Sequence, residues 1–153
     1  MATIEVTTFL PASPEEVRQH IASSQLLRYV NAGLLSFEPR EPPELPTYWS
    51  AGHYRVCLKL FGCLPIGSQT IGIENPKPGH TWVVRDNGHG SIARVWDHRI
   101  FVTAEGEGVR YTDHVTIEAG VLTPIVVLFA QLQYRYRQRR WRRLVSRDFR
   151  FDS

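Results

Sequence analysis

Apolar and polar residues alternate from Thr3 to Phe9, with β-branched side chains enriched, so residues 3–9 predict a strand. Ser13-Pro14-Glu15-Glu16 then reads as a helix start. Ser13 is a good N-cap, Pro14 suits the first helical position and Glu16 completes a capping box. Val17 and Ile21 share one face of that helix, and residues 24–31, with Leu26, Leu27 and Val30, predict a second one, so two short helices occupy 13–31. Residues 38–46 contain four prolines and form neither a helix nor a central strand.

From Gly52 the period is two. Tyr54, Val56, Leu58 and Leu60 alternate with His53, Arg55, Cys57 and Lys59. A turn over 62–67 leads to a strand from Ser68 to Glu74, and Asn75-Pro-Lys-Pro-Gly79 marks a turn. His80 to Asp86 predicts a strand, Asn87-Gly88-His89-Gly90 a hairpin loop and Ile92 to Thr103 a long strand. Glu105 to Gly108 closes a last hairpin, and Val109 to Glu118 returns. Residues 52–118 therefore predict a five-stranded antiparallel meander. After Gly120 the period becomes 3.6: Leu122, Ile125, Val126, Phe129, Leu132 and Tyr136 fall on one face of a long helix over 121–146. Pro124 fits in its first turn, and at about 1.5 Å per residue the helix is long enough to cross a sheet.

Alternation in the last two strands yields a register. Thr112, His114, Thr116 and Glu118 are polar and face outward, so Asp113, Val115 and Ile117 face inward. A hairpin that sets Ala104 opposite Val109 puts Ile100 opposite Asp113, His98 opposite Val115 and Trp96 opposite Ile117. His98 is then the inward diagonal neighbour of Asp113; a slip of one residue would break the arrangement. Two readings of this pair stand side by side. It is a satisfied buried pair that fixes the register, or it is a polar anchor or general acid–base pair inside an apolar pocket.

The 153 residues are 42% hydrophobic and 22% charged, which is the composition of one globular domain. The longest nearly apolar run, residues 121–130, contains Thr123 and Pro124 and falls short of the roughly 20 residues of a membrane-spanning helix. Glu5 and Thr7 interrupt any signal-like N-terminus. Cys57 and Cys63 make neither a disulfide framework nor a zinc site, and a cytoplasmic location is the default. Net charge is +3, but residues 134–153 alone carry eight Arg against two Asp. Such a cluster attracts phosphates or anionic lipid head groups, or else forms a solvated helix end. No aromatic-rich basic β-surface points to sequence-specific nucleic-acid binding. Phosphate loops, dinucleotide fingerprints and nucleophile elbows are absent. The six histidines are scattered, so neither a metal site nor a cofactor is expected.

Three patches carry a family resemblance. Val95-Trp96-Asp97-His98-Arg99-Ile100-Phe101 is similar to the Trp-x-His-x-His strand of small polyketide cyclase/dehydrase-like proteins of the START/SRPBCC superfamily. Tyr111-Thr112-Asp113-His114-Val115-Thr116-Ile117 is similar to their Thr-Asp-x-Val-x-Tyr strand, and Tyr134 to Arg140 to the basic end of their last helix. Ile100 stands where that pattern has its second His, and Ile117 where an aromatic is usual.

The resemblance implies an α+β helix-grip fold spanning residues 1–153. A curved antiparallel sheet of six or seven strands would wrap a long C-terminal helix, with two short helices after the first strand. It further implies an apolar cavity between sheet and helix, carrying a small hydrophobic or amphipathic ligand. The lining expected from strand and helix faces is Trp82, Trp96, His98, Ile100, Asp113, Val115, Ile117, Phe129, Leu132 and Tyr136. Two alternatives are kept. One is a cyclase or dehydratase moving protons with His98 and Asp113, disfavoured by the missing second His. The other is contact with an anionic membrane through the C-terminal arginines.

Overall fold

The computed structural model describes residues 1–151. Strand β1 (Ala2–Leu10) is followed by helices α1 (Pro14–Ile21) and α2 (Ser24–Asn31). Ser13 caps α1 by accepting the Glu16 N–H at 3.2 Å. The reciprocal half of the expected capping box differs, because the Glu16 carboxylate accepts the Ser13 hydroxyl proton instead of reaching the cap's own N–H. Ser23 caps α2 through Gln25 N–H at 3.1 Å.

The remaining strands are β2 (Leu35–Glu41), β3 (Gly52–Leu60), β4 (Leu64–Glu74), β5 (Val84–Gly90), β6 (Val95–Glu105) and β7 (Gly108–Glu118). They form one curved antiparallel sheet in the order β1-β7-β6-β5-β4-β3-β2. The first strand thus pairs with the last, Ala2 opposite Ile117 and Leu10 opposite Val109. Strand β2 contains Pro39, which an edge strand tolerates because one side of its backbone needs no ladder partner. In the β6–β7 pair Ala104 faces Val109, Ile100 faces Asp113, His98 faces Val115 and Trp96 faces Ile117.

Several stretches depart from the sequence expectation. The turn expected over 62–67 is confined to 61–63, since β4 already begins at Leu64; β2 is an additional edge strand; and the strand expected from His80 begins only at Val84. Asn87 to Gly90 is not a hairpin loop but the second half of β5, with Asn87 opposite Asp97 and Gly88 opposite Trp96. Its glycines serve close strand approach rather than a turn. A Cβ at Gly88 would sit 2.7 Å from the Thr70 carbonyl oxygen, and one at Gly90 2.5 Å from that of Ser68. The chain reverses instead over 91–94, and residues 75–83, including Trp82, form a loop.

A single 3-10 turn (Gly120–Leu122) leads into helix α3 (Thr123–Ser146). The buried face of α3 is not the apolar one expected from its first turns. It runs through Ala130, Gln133, Tyr134, Arg137, Gln138, Trp141, Leu144 and Val145. Its C-terminal half packs with α1, α2 and the sheet in a core containing Leu10, Val30, Tyr111, Trp141 and Leu144. Ala130 and Tyr134 close over Ile4, Val115 and Ile117. A third cluster, Tyr54, Val56, Ile71 and Ile73 with Leu45, sits at the β3–β4 side. Before Ala130 no residue of α3 is fully buried; Val126 and Val127 are half-buried against the Ile4 and Val115 cluster, and the other side chains of the first turns stand off the sheet.

Candidate functional site

That stand-off leaves a cavity of about 440 Å³ between the sheet, α2 and α3. Leu58, Ile71 and Ile100 line it from the sheet, Leu26 from α2, and Val126 and Phe129 from α3. The volume lies within the range of small-molecule sites, and the walls are mainly aliphatic and aromatic.

Polar groups gather where β5, β6 and α3 converge. Asp113 is completely buried. Its Oδ1 accepts from His98 Nε2 at 2.6 Å and from the Tyr111 hydroxyl at 3.1 Å, and its Oδ2 from Gln138 Nε2 at 3.1 Å. Burial pushes this carboxyl up, but the His98 hydrogen bond, the Arg137 charge and Gln138 outweigh it and hold it below the usual carboxylate range. Burial dominates at His98 and lowers the imidazole despite its acidic partner. A neutral ring that donates from Nε2 to an ionised carboxylate keeps its lone pair on Nδ1. His98 lines the cavity, with its ring edge-on to Tyr134 at 4.8 Å. Trp96 Nε1 donates to the Tyr134 hydroxyl at 3.2 Å and so holds that ring in place.

Asp86 lies opposite His98 on β5 and also lines the cavity. Its Oδ1 accepts the Gly72 N–H at 2.8 Å, and burial raises the carboxyl to about 7 against the opposing pull of that bond and of Arg137. Arg137 and Gln133, one turn apart on α3, complete the polar side. Arg137 Nε and Gln133 Oε1 are buried without a hydrogen-bond partner among the described residues. Gln133 Nε2 donates to Asn31 Oδ1 at 3.2 Å, which ties α3 to α2. Among the described residues no three His, Cys, Asp or Glu side chains stand together as a metal site.

The residues expected on the cavity wall separate into three groups. Trp96, His98, Ile100 and Phe129 line it. Asp113, Val115 and Ile117 point inward from β7 but lie beneath α3, where Ala130, Tyr134 and Gln138 cover them. Leu132, Tyr136 and Trp82 are off the cavity. Leu132 is exposed on the outer face of α3, and the Tyr136 hydroxyl donates to the Ala32 carbonyl. Trp82 is buried in the 75–83 loop and stacks on His80 at 4.7 Å.

Sequence reasoning missed Asp86, Gln133 and Arg137. Asp86 was hidden by placing the hairpin loop one residue after it, although alternation from Val84 puts it on the same face as Ile100 and His98. Arg137 was hidden in an arginine run. Its spacing from Tyr134 and Trp141, three and four residues, is the signal that places it on the buried face.

The sequence profile of a family described as a domain of unknown function (DUF8410) matches residues 40–145. No curated protein matches the chain. Solved structures do. A protein of Thermus thermophilus is 14% identical, covers 96% of this chain and 99% of its own, and superposes with a TM-score of 0.68. A START superfamily protein from Mycobacterium smegmatis is 12% identical over 95% and 97% of the two chains, at a TM-score of 0.63. An aromatase/cyclase from a Streptomyces species is 11% identical over 97% and 96%, also at 0.63. At these identities the likeness establishes the fold, which is the START/SRPBCC helix grip.

Proposed function

We propose, for a chain that belongs to the DUF8410 family and folds as a START/SRPBCC helix grip, that it binds and carries a small hydrophobic or amphipathic molecule between sheet and α3. The cavity of about 440 Å³ beneath the partly packed first turns of α3 is the observation that carries this reading. Apolar walls favour transfer of hydrocarbon out of water, by about 25 cal/mol per Å² of apolar surface buried. The few polar groups at one end orient what enters. The test is displacement of a fluorescent apolar dye from the wild-type protein and from Leu58→Trp, which fills the space from the β3 wall. Dye uptake lost in Leu58→Trp with an unchanged melting temperature supports the reading, and no uptake by the wild type refutes it.

A catalytic use of the same cavity has one observation in its favour. Asp86 and His98 face each other across β5 and β6 with opposite displacements, the acid raised and the base lowered. Such a pair gives a proton donor and a proton acceptor near neutral pH. The aromatase/cyclase neighbour is named for chemistry of that kind. Turnover of a poly-β-keto chain that is lost in both His98→Ala and Asp86→Asn, with dye affinity retained, is the result that would favour catalysis over carriage.

The outer face of α3 supports a membrane encounter as well. Leu128 and Leu132 are exposed on it and Val121 in the turn before it, and one groove near its end gathers Arg139, Arg140, Arg142, Arg143 and Arg147. Apolar turns followed by cationic ones suit an anionic bilayer surface. Co-sedimentation with vesicles containing phosphatidylserine, set against pure phosphatidylcholine, tests it; equal binding to both excludes it.

A further inference from the structure

Arg137 brings a cationic side chain to the cavity. Its side chain is almost wholly buried and lines the cavity. No carboxylate lies within ion-pair distance of its guanidinium among the described residues, and Nε has no hydrogen-bond partner there. Its close neighbours are aromatic: the Tyr134 ring, with its centroid 5.1 Å from Cζ, and the Tyr111 hydroxyl. The two acids nearby are engaged elsewhere. Asp113 spends both oxygens on His98, Tyr111 and Gln138, and Asp86 spends Oδ1 on the Gly72 N–H.

Arg85 on the same sheet shows how this chain treats an arginine with a structural role. Nε and Nη2 of Arg85 each donate to Asp97 at 2.9 Å, and Nη1 donates to Glu74 at 3.1 Å. Arg137 is more deeply buried and has less. The Asp113 charge stabilises the guanidinium from a distance, but no acceptor meets Nε, and a buried N–H without an acceptor is costly. Gln133, one turn earlier on α3, presents a second unpartnered polar atom, Oε1, at the same end.

We propose that the cavity's ligand is an anionic amphiphile whose carboxylate is received by Arg137, with its hydrocarbon part lying against Ile71, Ile100 and Phe129 and its own hydroxyl or amide donor, where present, reaching Gln133 Oε1. This inference rests on the binding reading above and narrows it. A planar fork of N–H donors matches a carboxylate bidentately.

The test compares decanoate with decanol, two probes of equal chain length, by calorimetric titration at neutral pH into wild type, Arg137→Gln and Arg137→Lys. Wild type is expected to prefer decanoate at least tenfold, which is about 1.4 kcal/mol. Arg137→Gln should show no preference between the two probes. Arg137→Lys should keep part of it, since it retains the charge and loses the fork. Equal affinity of wild type for the two probes overturns the proposal, as does a preference unchanged in Arg137→Gln; in either case the cavity still binds hydrocarbon. Failure of wild type to bind either probe removes the binding reading itself, and this inference with it. Should Arg137→Gln not fold, the wild-type comparison together with Arg137→Lys decides.

Discussion

His98 Nε2 lies 2.6 Å from Asp113 Oδ1, one diagonal step apart across the β6–β7 pair, yet only His98 reaches the cavity. The two members of the pair therefore belong to different layers. Asp113 is interior framework, anchoring β7 to α3 through Gln138, whereas His98 lines the cavity.

That division predicts unequal mutants. Asp113→Ala removes the acceptor of His98 and Tyr111 and the counter-charge of buried Arg137, and should cost about 3–5 kcal/mol of folding stability, as leaving a buried charge uncompensated does. His98→Ala leaves Asp113 with Tyr111 and Gln138 and should cost about 1–3 kcal/mol. Urea unfolding measures both. Equal losses would show that the pair acts as one structural unit.

Asp86 predicts a pH dependence. Its folded-state carboxyl holds a proton up to about 7, far above the ordinary carboxylate range of an unfolded chain. Folding therefore takes up a proton between those limits. The stability from this group is complete in acid and lost as pH rises through about 7. The melting temperature of Asp86→Asn relative to wild type should thus increase between mildly acidic and mildly alkaline pH. A difference that stays constant with pH would contradict the protonated carboxyl.

Gly88 predicts a steric penalty. Alanine there would bring Cβ to 2.7 Å from the Thr70 carbonyl oxygen, a backbone atom that cannot swing away. Overpacking of this kind costs roughly 1–3 kcal/mol, or a few degrees of melting temperature for a chain of this size. Calorimetry of Gly88→Ala, with Gly79→Ala as the comparison lacking any neighbour within 4 Å, checks it. Gly79 has a φ of 97°, so its own cost reports backbone strain without contact.

Trp141 predicts a packing loss. It is fully buried against Tyr111, ring centroids 5.4 Å apart, in the C-terminal half of α3 and off the cavity lining. Trp141→Ala should lose about 3–5 kcal/mol, whereas Phe61→Ser at an exposed turn should stay within about 0.5 kcal/mol of wild type. Chemical denaturation of the two variants separates these outcomes.

Local pattern was enough for most of the architecture. Alternation, capping residues and turn chemistry located β1, both short helices, the meander and the long helix, because each of those signals is written within a few residues. The β6–β7 register was legible for the same reason. A short hairpin, Glu105 opposite Gly108, fixes it, and inward and outward side chains then follow by parity.

What the amino-acid sequence alone did not decide is which side chains face the void and which are covered. Val115 and Ile117 point toward the helix as their parity requires, but only the seating of Ala130 and Tyr134 on the sheet buries them. In α3 the apolar first turns are exposed, half-buried or on the cavity wall, while Gln133, Arg137 and Gln138 are buried. Hydrophobicity fails as a guide there because a helix that spans a cavity is only partly packed in its first turns, and its later turns are pinned by hydrogen bonds to Asn31, Val6 and Asp113. Gly88 and Gly90 read as a turn from composition, yet their missing side chains make room for a neighbouring strand that lies some twenty residues away in the chain. Local propensity set the elements; the distance between α3 and the sheet, a property of no single segment, made the site.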